Sequence, residues 1–251
     1  ITTVAVMMLY EQGAFELADP LARYLPEFAD LRVFDGGSDL KPKTVPALEP
    51  IRIWHLLTHT SGLTYGFHHA HPVDALYRAA GYEWGAPPAV DLAGAVKTFA
   101  TMPLLFQPGT EWNYSVSTDV LGRLVEVLTG TSLDTALRAM VLDPLGMSET
   151  SFEVPESRRD RLAALYLPRP GGGLVRNDDL GGFVLAPTWL SGGGGLTSTL
   201  HDYYRFTQFL LGRGALGDVR LLGDRTLRYM AQNHLPGGAD LAAFGRPLFA
   251  E

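Results

Sequence analysis

Cysteine is absent from the 251-residue sequence, which rules out disulfides, a thiol nucleophile and a Cys-based metal site. That absence does not choose a compartment, so cytoplasm and periplasm both stay open. Lysine is nearly as scarce and is confined to Lys41, Lys43 and Lys97. Asp and Glu outnumber Lys and Arg by 27 to 20, for a net charge of −7. This leaves no basic surface for nucleic acid and mildly disfavours anionic partners. No apolar run reaches the roughly 18 residues of a membrane span. What the chain does have is apolar substance: 46% hydrophobic residues against 19% charged, the balance of a globular protein with a large core. Its length suits one large domain or two small ones.

Convincing strands are few. Ile1 to Gln12 reads as a helix already under way and apolar almost all round, as a helix buried on every side would be. Gly13 closes it. The segment Leu17–Leu25 reads as a short helix with Pro20 near its first turn. Residues 32–50 read as a loop region, with a short strand at Arg32–Asp35, and Ile51–Thr60 as a helix ended by Ser61-Gly62. Further helices are expected at about 73–80, 90–101, 116–129, 132–141, 201–212 and 224–232. Short strands are expected around Leu174-Val175 and Phe183–Leu185. Both ends look cut: Ile1 has no capping residue before it, which leaves room for a preceding signal peptide, and Gly245–Glu251 stops without a finished element.

The most informative stretch runs from Gln107 to Glu126. Pro108-Gly109 is a strong turn signal. Val116, Val120, Leu121, Leu124, Val125 and Leu128 then repeat along one apolar helix face, with Ser115 and Ser117 as candidate N-caps and Gly130 as the stop. Tyr114 therefore sits on a constrained loop at the N-terminal end of a buried helix, where the helix dipole favours a phenolate. A phenol so placed can relay a proton. A buried Tyr whose hydroxyl has simply found a partner accounts for the pattern too.

Trp112-Asn-Tyr-Ser-Val-Ser-Thr-Asp-Val-Leu-Gly122 resembles the tyrosine motif of serine hydrolases with the class C β-lactamase and penicillin-binding-protein fold. It is most similar to the bacterial esterases called family VIII. Ile51–Leu63, which contains His-Thr-Ser-Gly-Leu, agrees in order, as do Asp143–Met147 and Ser191–Thr199 followed by Asp202 and Phe206. The resemblance covers nearly the whole chain. It implies an α+β, β-lactamase/transpeptidase-like fold, of which this chain is mostly the helical part with little of the sheet. It also implies one catalytic module truncated at both ends. Residues of about 1–30 and 190–251 would belong to the sheet domain, and about 31–189 to the helical domain.

The resemblance further implies ester hydrolysis through an acyl-enzyme, with a small-molecule ester as substrate and no cofactor. The nucleophile would be the Ser of a Ser-x-x-Lys motif just upstream of Ile1, so the chain alone would be inactive. Tyr114 would be the proton relay. Tyr65 and Phe67, with Ser115 and Val116, would line the substrate groove, although Tyr65-Gly-Phe67 reads equally well as a loop covering the core. The family's strand motif near the oxyanion hole has no match after Asp202 and is expected beyond Glu251. β-Lactamases read Tyr-x-Asn where this chain has Tyr114-Ser115-Val116. Val116 offers no amide, which moves the reading towards esters and away from β-lactams. D-amino-acid peptidase, acyltransferase and a non-catalytic binding relative are the alternatives.

Several decoys fail on context. Ser38-Asp-Leu-Lys41 fits Ser-x-x-Lys literally but lies between Gly36-Gly37 and Pro42 and opens no apolar helix. His55 and His59 lack the Glu of a His-Glu-x-x-His site, and His68, His69 and His71 have no carboxylate at a convincing ligand spacing, so no metal site is assigned. Ser191–Gly195 has neither a preceding strand nor a following Lys and reads as a tight turn. No Gly-x-Ser-x-Gly elbow occurs.

Overall fold

Helix α5 (Ser117–Thr129) is the hub of the structure, a computed structural model that describes residues 1–177 and 187–246. Its Val120, Leu121, Leu124 and Val125 are all but inaccessible to solvent. Around it pack α1 (Thr2–Glu11), α2 (Ile53–Leu57), α4 (Leu92–Thr101) and α6 (Leu133–Leu137). Helix α1 has no polar face to spare, and Val4, Ala5, Val6, Met7 and Leu9 are buried along it. Such a helix gains stability by packing on several sides at once.

Local signals set most boundaries. Asp91 caps α4 by accepting from the Gly94 amide at 2.7 Å. Gly130 ends α5 in the left-handed conformation at φ +69°. Helix α3 (Pro72–Ala79) starts on a proline, with Asp74 accepting from the His71 amide. Helix α6 runs on through a π-type turn, Arg138–Leu142. Helices α7 (Leu200–Leu211) and α8 (Asp224–Met230) match their sequence expectations.

Among the described residues the strands form three antiparallel pairs: β1 (Arg32–Gly37) with β2 (Pro42–Pro46), β3 (Leu165–Pro168) with β4 (Leu174–Asn177), and β5 (Ala215–Leu216) with β6 (Val219–Arg220). The architecture is α+β, with helices predominating among the described residues.

Some expectations are corrected. Leu17–Leu25 is not one helix: Pro20 stays extended, and the Leu21 amide is drawn to the Ile51 carbonyl at 2.8 Å. Only the single 3-10 turn Leu21–Arg23 forms there. The loop expected at 32–50 contains the β1–β2 hairpin, and its tip holds the exposed Ser38 and Lys41. Helix α2 stops at Leu57 because His59 takes a left-handed φ of +55°. Near the C-terminus, α9 (Leu241–Phe244) is capped by Asp240, and Trp112 exchanges backbone hydrogen bonds with Phe244 and Arg246. The strand expected at Phe183–Leu185 lies outside the described residues.

Candidate active site

The loop 59–64 and the stretch 109–116 run side by side and are laced together. Gly109 N–H donates to Thr60, Asn113 N–H to His59, and the Asn113 side-chain amide to the Leu63 carbonyl at 3.1 Å. Gly62 sits at φ +86°, and a Cβ there would lie 2.6 Å from the Phe106 carbonyl oxygen. Only glycine fits so close an approach at that φ. This is the physical content of His-Thr-Ser-Gly-Leu: the motif makes a seat on which the tyrosine segment is fixed.

Tyr114 emerges from that seat three residues before α5, half-exposed, among aromatic neighbours. The His59 ring lies 5.2 Å away and the Tyr65 ring 5.2 Å away on another side. Tyr65 holds its hydroxyl between Tyr114 and Asp119, with Asp119 Oδ2 at 3.5 Å. Burial, and then the negative charge of Asp119, push the Tyr65 phenol well above the ordinary range. Tyr65 is thus a neutral hydrogen-bonding partner to Tyr114.

Asp119, in the first turn of α5, is wholly buried. Its Oδ1 accepts from Ser191 Oγ at 2.6 Å and from the Gly193 amide at 3.4 Å. Burial raises its pKa to about 6, against the opposing pull of these donors. Through them the glycine loop is clamped to the mouth of α5. At Gly192 a Cβ would meet the Thr118 carbonyl at 2.5 Å and Gly122 Cα at 3.2 Å. Thr2 Oγ1, at the start of α1, donates to the Gly192 carbonyl at 2.7 Å. A cavity of about 240 Å³ opens there, lined by Ile1, Thr2, Thr118 and the glycine loop. An added Cβ on Gly193 would lie 3.0 Å from the Tyr65 hydroxyl. The phenols, the glycine loop and the start of α1 therefore lie against one another in one run of contacts.

Beneath Tyr114 lies a chain of hydroxyls. His59 Nδ1 is 3.2 Å from Ser115 Oγ, which is 2.7 Å from Ser117 Oγ, itself 2.9 Å from Ser61 Oγ. Burial lowers the His59 pKa to about 4, so its ring is neutral at pH 7. Val116, not Ser115, holds the N-cap position of α5; one residue before it, the Ser115 hydroxyl accepts from the Ser117 amide at 3.4 Å as well as meeting His59 Nδ1 and Ser117 Oγ.

The structure brings Tyr114, Tyr65 and Phe67 together, with Phe67 stacked on Tyr65 at 4.7 Å. Ser115 and Val116 are buried, at 0% and 2% exposure, and no groove opens on their side chains among the described residues. His55 is buried and accepts from the Arg52 amide, His71 accepts from Val73, and His69 pairs with Glu83. Sequence reasoning missed Asp119 and the link from the glycine loop to Tyr65. A carboxylate beside apolar Val116 and Val120, followed by Gly122 on the helix, was the available signal.

Comparison with known proteins identifies the family and the fold. Protein Rv1367c of Mycobacterium tuberculosis is 37% identical over 236 residues, covering 94% of this chain and 57% of that protein. Lovastatin esterase of Penicillium rubens is 34% identical over 255 residues, covering 100% of this chain and 61% of its own length. Among solved structures, EstCE1, described as a hydrolase with promiscuous acyltransferase activity, superimposes with a TM-score of 0.73 at 28% identity, over 93% of this chain and 61% of that one. The chain thus spans somewhat more than half the length of these relatives. The family model described as Beta-lactamase matches residues 1–249, over the same seat, phenol pair and clamped glycine loop, and the chain belongs to that family and has its fold.

Proposed function

We propose that the protein containing this chain is a serine hydrolase that cleaves carboxylic esters through an acyl-enzyme, with Tyr114 as proton relay. The observation that carries this reading is the position of Tyr114: half-exposed at the mouth of α5, hydrogen-bonded to a neutral Tyr65 that abuts the glycine loop at the start of α1. The nucleophile is a serine one helical turn ahead of a lysine, in sequence preceding Ile1.

The serine hydroxyl attacks the ester carbonyl carbon while its proton passes to the lysine–Tyr114 pair. Backbone amides hold the resulting oxyanion. The intermediate collapses, the C–O bond to the alcohol breaks, and Tyr114 passes the proton to the leaving oxygen. Water then attacks the acyl-enzyme, its proton returns along the same path, and the carboxylic acid leaves. β-Lactamases carry Asn where this chain has Val116, and the lack of that amide supports esters over β-lactams.

Transfer of the acyl group to an alcohol, in place of water, is the second reading. EstCE1 is described with both activities, and another relative is a monacolin J acid methylbutanoyltransferase of Aspergillus terreus, 31% identical over 236 residues.

The test uses the full-length protein against p-nitrophenyl esters, nitrocefin and D-Ala amides, with and without an added alcohol. The reading expects turnover of the esters above the other classes and labelling of a single serine by a fluorophosphonate. No labelled serine would favour a non-catalytic binding role. Residues 1–251 alone are expected to take no label.

A further inference from the structure

A ladder of rings leads outward from Tyr114. The Tyr65 ring is tilted by 45° to that of Tyr114, Phe67 by 21° to Tyr65 at 4.7 Å, and Trp84 by 7° to Phe67 at 4.8 Å. The planes turn towards parallel as they leave the site. Trp84, the outermost rung, is 70% exposed.

That exposure is not the exposure of a loose loop. A Cβ on Gly66 would lie 2.4 Å from the Tyr82 carbonyl oxygen, so the two loops touch backbone to backbone. Arg78 Nη1, on α3, donates to the Gly66 carbonyl at 2.6 Å, and His69 Nε2 pairs with Glu83 Oε1 at 2.8 Å. Tyr82 is buried edge-on against Phe99 and Trp189. Trp84 is thus fastened through the two residues before it, Tyr82 and Glu83, with its outer face in water. A large aromatic surface held open at the end of a ring ladder that starts at Tyr114 is a mark of a ligand subsite.

We propose that the outer face of Trp84 is a distal specificity subsite of the Tyr114 site, taking a planar aromatic ring carried on the substrate by a spacer. Near-parallel rungs make a flat ledge, which a further flat ring continues in offset stacking and a puckered saturated ring does not. Three ring-to-ring steps, of 5.2, 4.7 and 4.8 Å, lie between Tyr114 and Trp84, so a ring seated on Trp84 is carried on a spacer from the ester carbonyl. Trp84 sets preference and takes no part in bond making. The proposal rests on the ester-cleaving reading above.

The test compares phenyl-terminated with cyclohexyl-terminated esters, the ring on the acyl or the alcohol side, over spacers of increasing length, assayed by acid release from the full-length protein. The ratio of their kcat/KM values is expected to rise with spacer length by about 2- to 10-fold, the worth of one stacked ring pair. In Trp84→Ala the ratio should stay at its short-spacer value, and Trp84→Phe should restore most of the rise. A ratio flat with spacer length in the unaltered protein, or an unchanged rise in Trp84→Ala, overturns the subsite while leaving the esterase reading in place. Absence of turnover for every ester overturns both.

Discussion

At the scale of single residues, Asp119 shows how burial and hydrogen bonding divide between them the properties of one carboxyl. Its Oδ1 takes two donors from the glycine loop and its Oδ2 faces Tyr65. Asn can place its oxygen at Oδ1 and its amide towards the Tyr65 oxygen, so Asp119→Asn should fold normally. Asp119→Ala leaves Ser191 and the Gly193 amide without their acceptor, and should lower the free energy of unfolding by about 1–3 kcal/mol. The pH dependence has a definite sign. The pKa of about 6 in the fold lies above the unfolded value near 3.9. The contribution of Asp119 is therefore fully present below pH of about 4 and lost as pH rises to about 6. Urea unfolding of Asp119→Asn between those limits should lack that component.

At the scale of elements, the α5 helix, its glycine stop and the tyrosine loop were legible in the sequence because apolar spacing and a Pro-Gly turn are local signals. So were α3, α4, α7 and α8. The α2 and Leu17–Leu25 expectations overran because their limits are set from afar: the Leu21 amide by Ile51, and the His59 turn by its hydrogen bond to Asn113. The β1–β2 hairpin hid among its glycines and prolines. In the site, the phenol could be picked out, but not its clamp, since Asp119, Ser191 and Tyr65 lie far apart in the chain and meet only by packing. The seat gives a sharp test. Gly62→Ala puts a methyl 2.6 Å from the Phe106 oxygen at φ +86°, so a loss above about 2 kcal/mol in urea unfolding is expected. A midpoint within error of the unaltered protein would refute the role given to that glycine.

At the scale of the whole molecule, two histidines tie the fold to pH in the opposite sense from Asp119. Burial lowers the pKa of both His55 and His59 to about 4, with the Arg52 charge adding to the effect at His55. Unfolded histidine titrates near 6.5, so their contribution is present above that pH and is lost as pH falls to about 4. For His55, which is 3% exposed, the loss is on the order of 3 kcal/mol. Burial lowers His68 and His71 too, and they add to these two against Asp119, so stability should fall on acidification from pH 7 to 4.5. His55→Asn keeps an acceptor for the Arg52 amide and should show a shallower fall. Equal slopes would show that His55 is not the cause.

The whole molecule also frames the proposal, which membership of the β-lactamase family and the convergence of α1, the glycine loop and the phenol pair support. The most direct measurement is kcat for ester hydrolysis by Tyr114→Phe in the full-length protein, with unfolding followed alongside. Removing a positioned proton relay should lower kcat by about 10²- to 10⁴-fold, with stability changed by no more than about 1 kcal/mol. Turnover close to that of the unaltered enzyme would contradict the account.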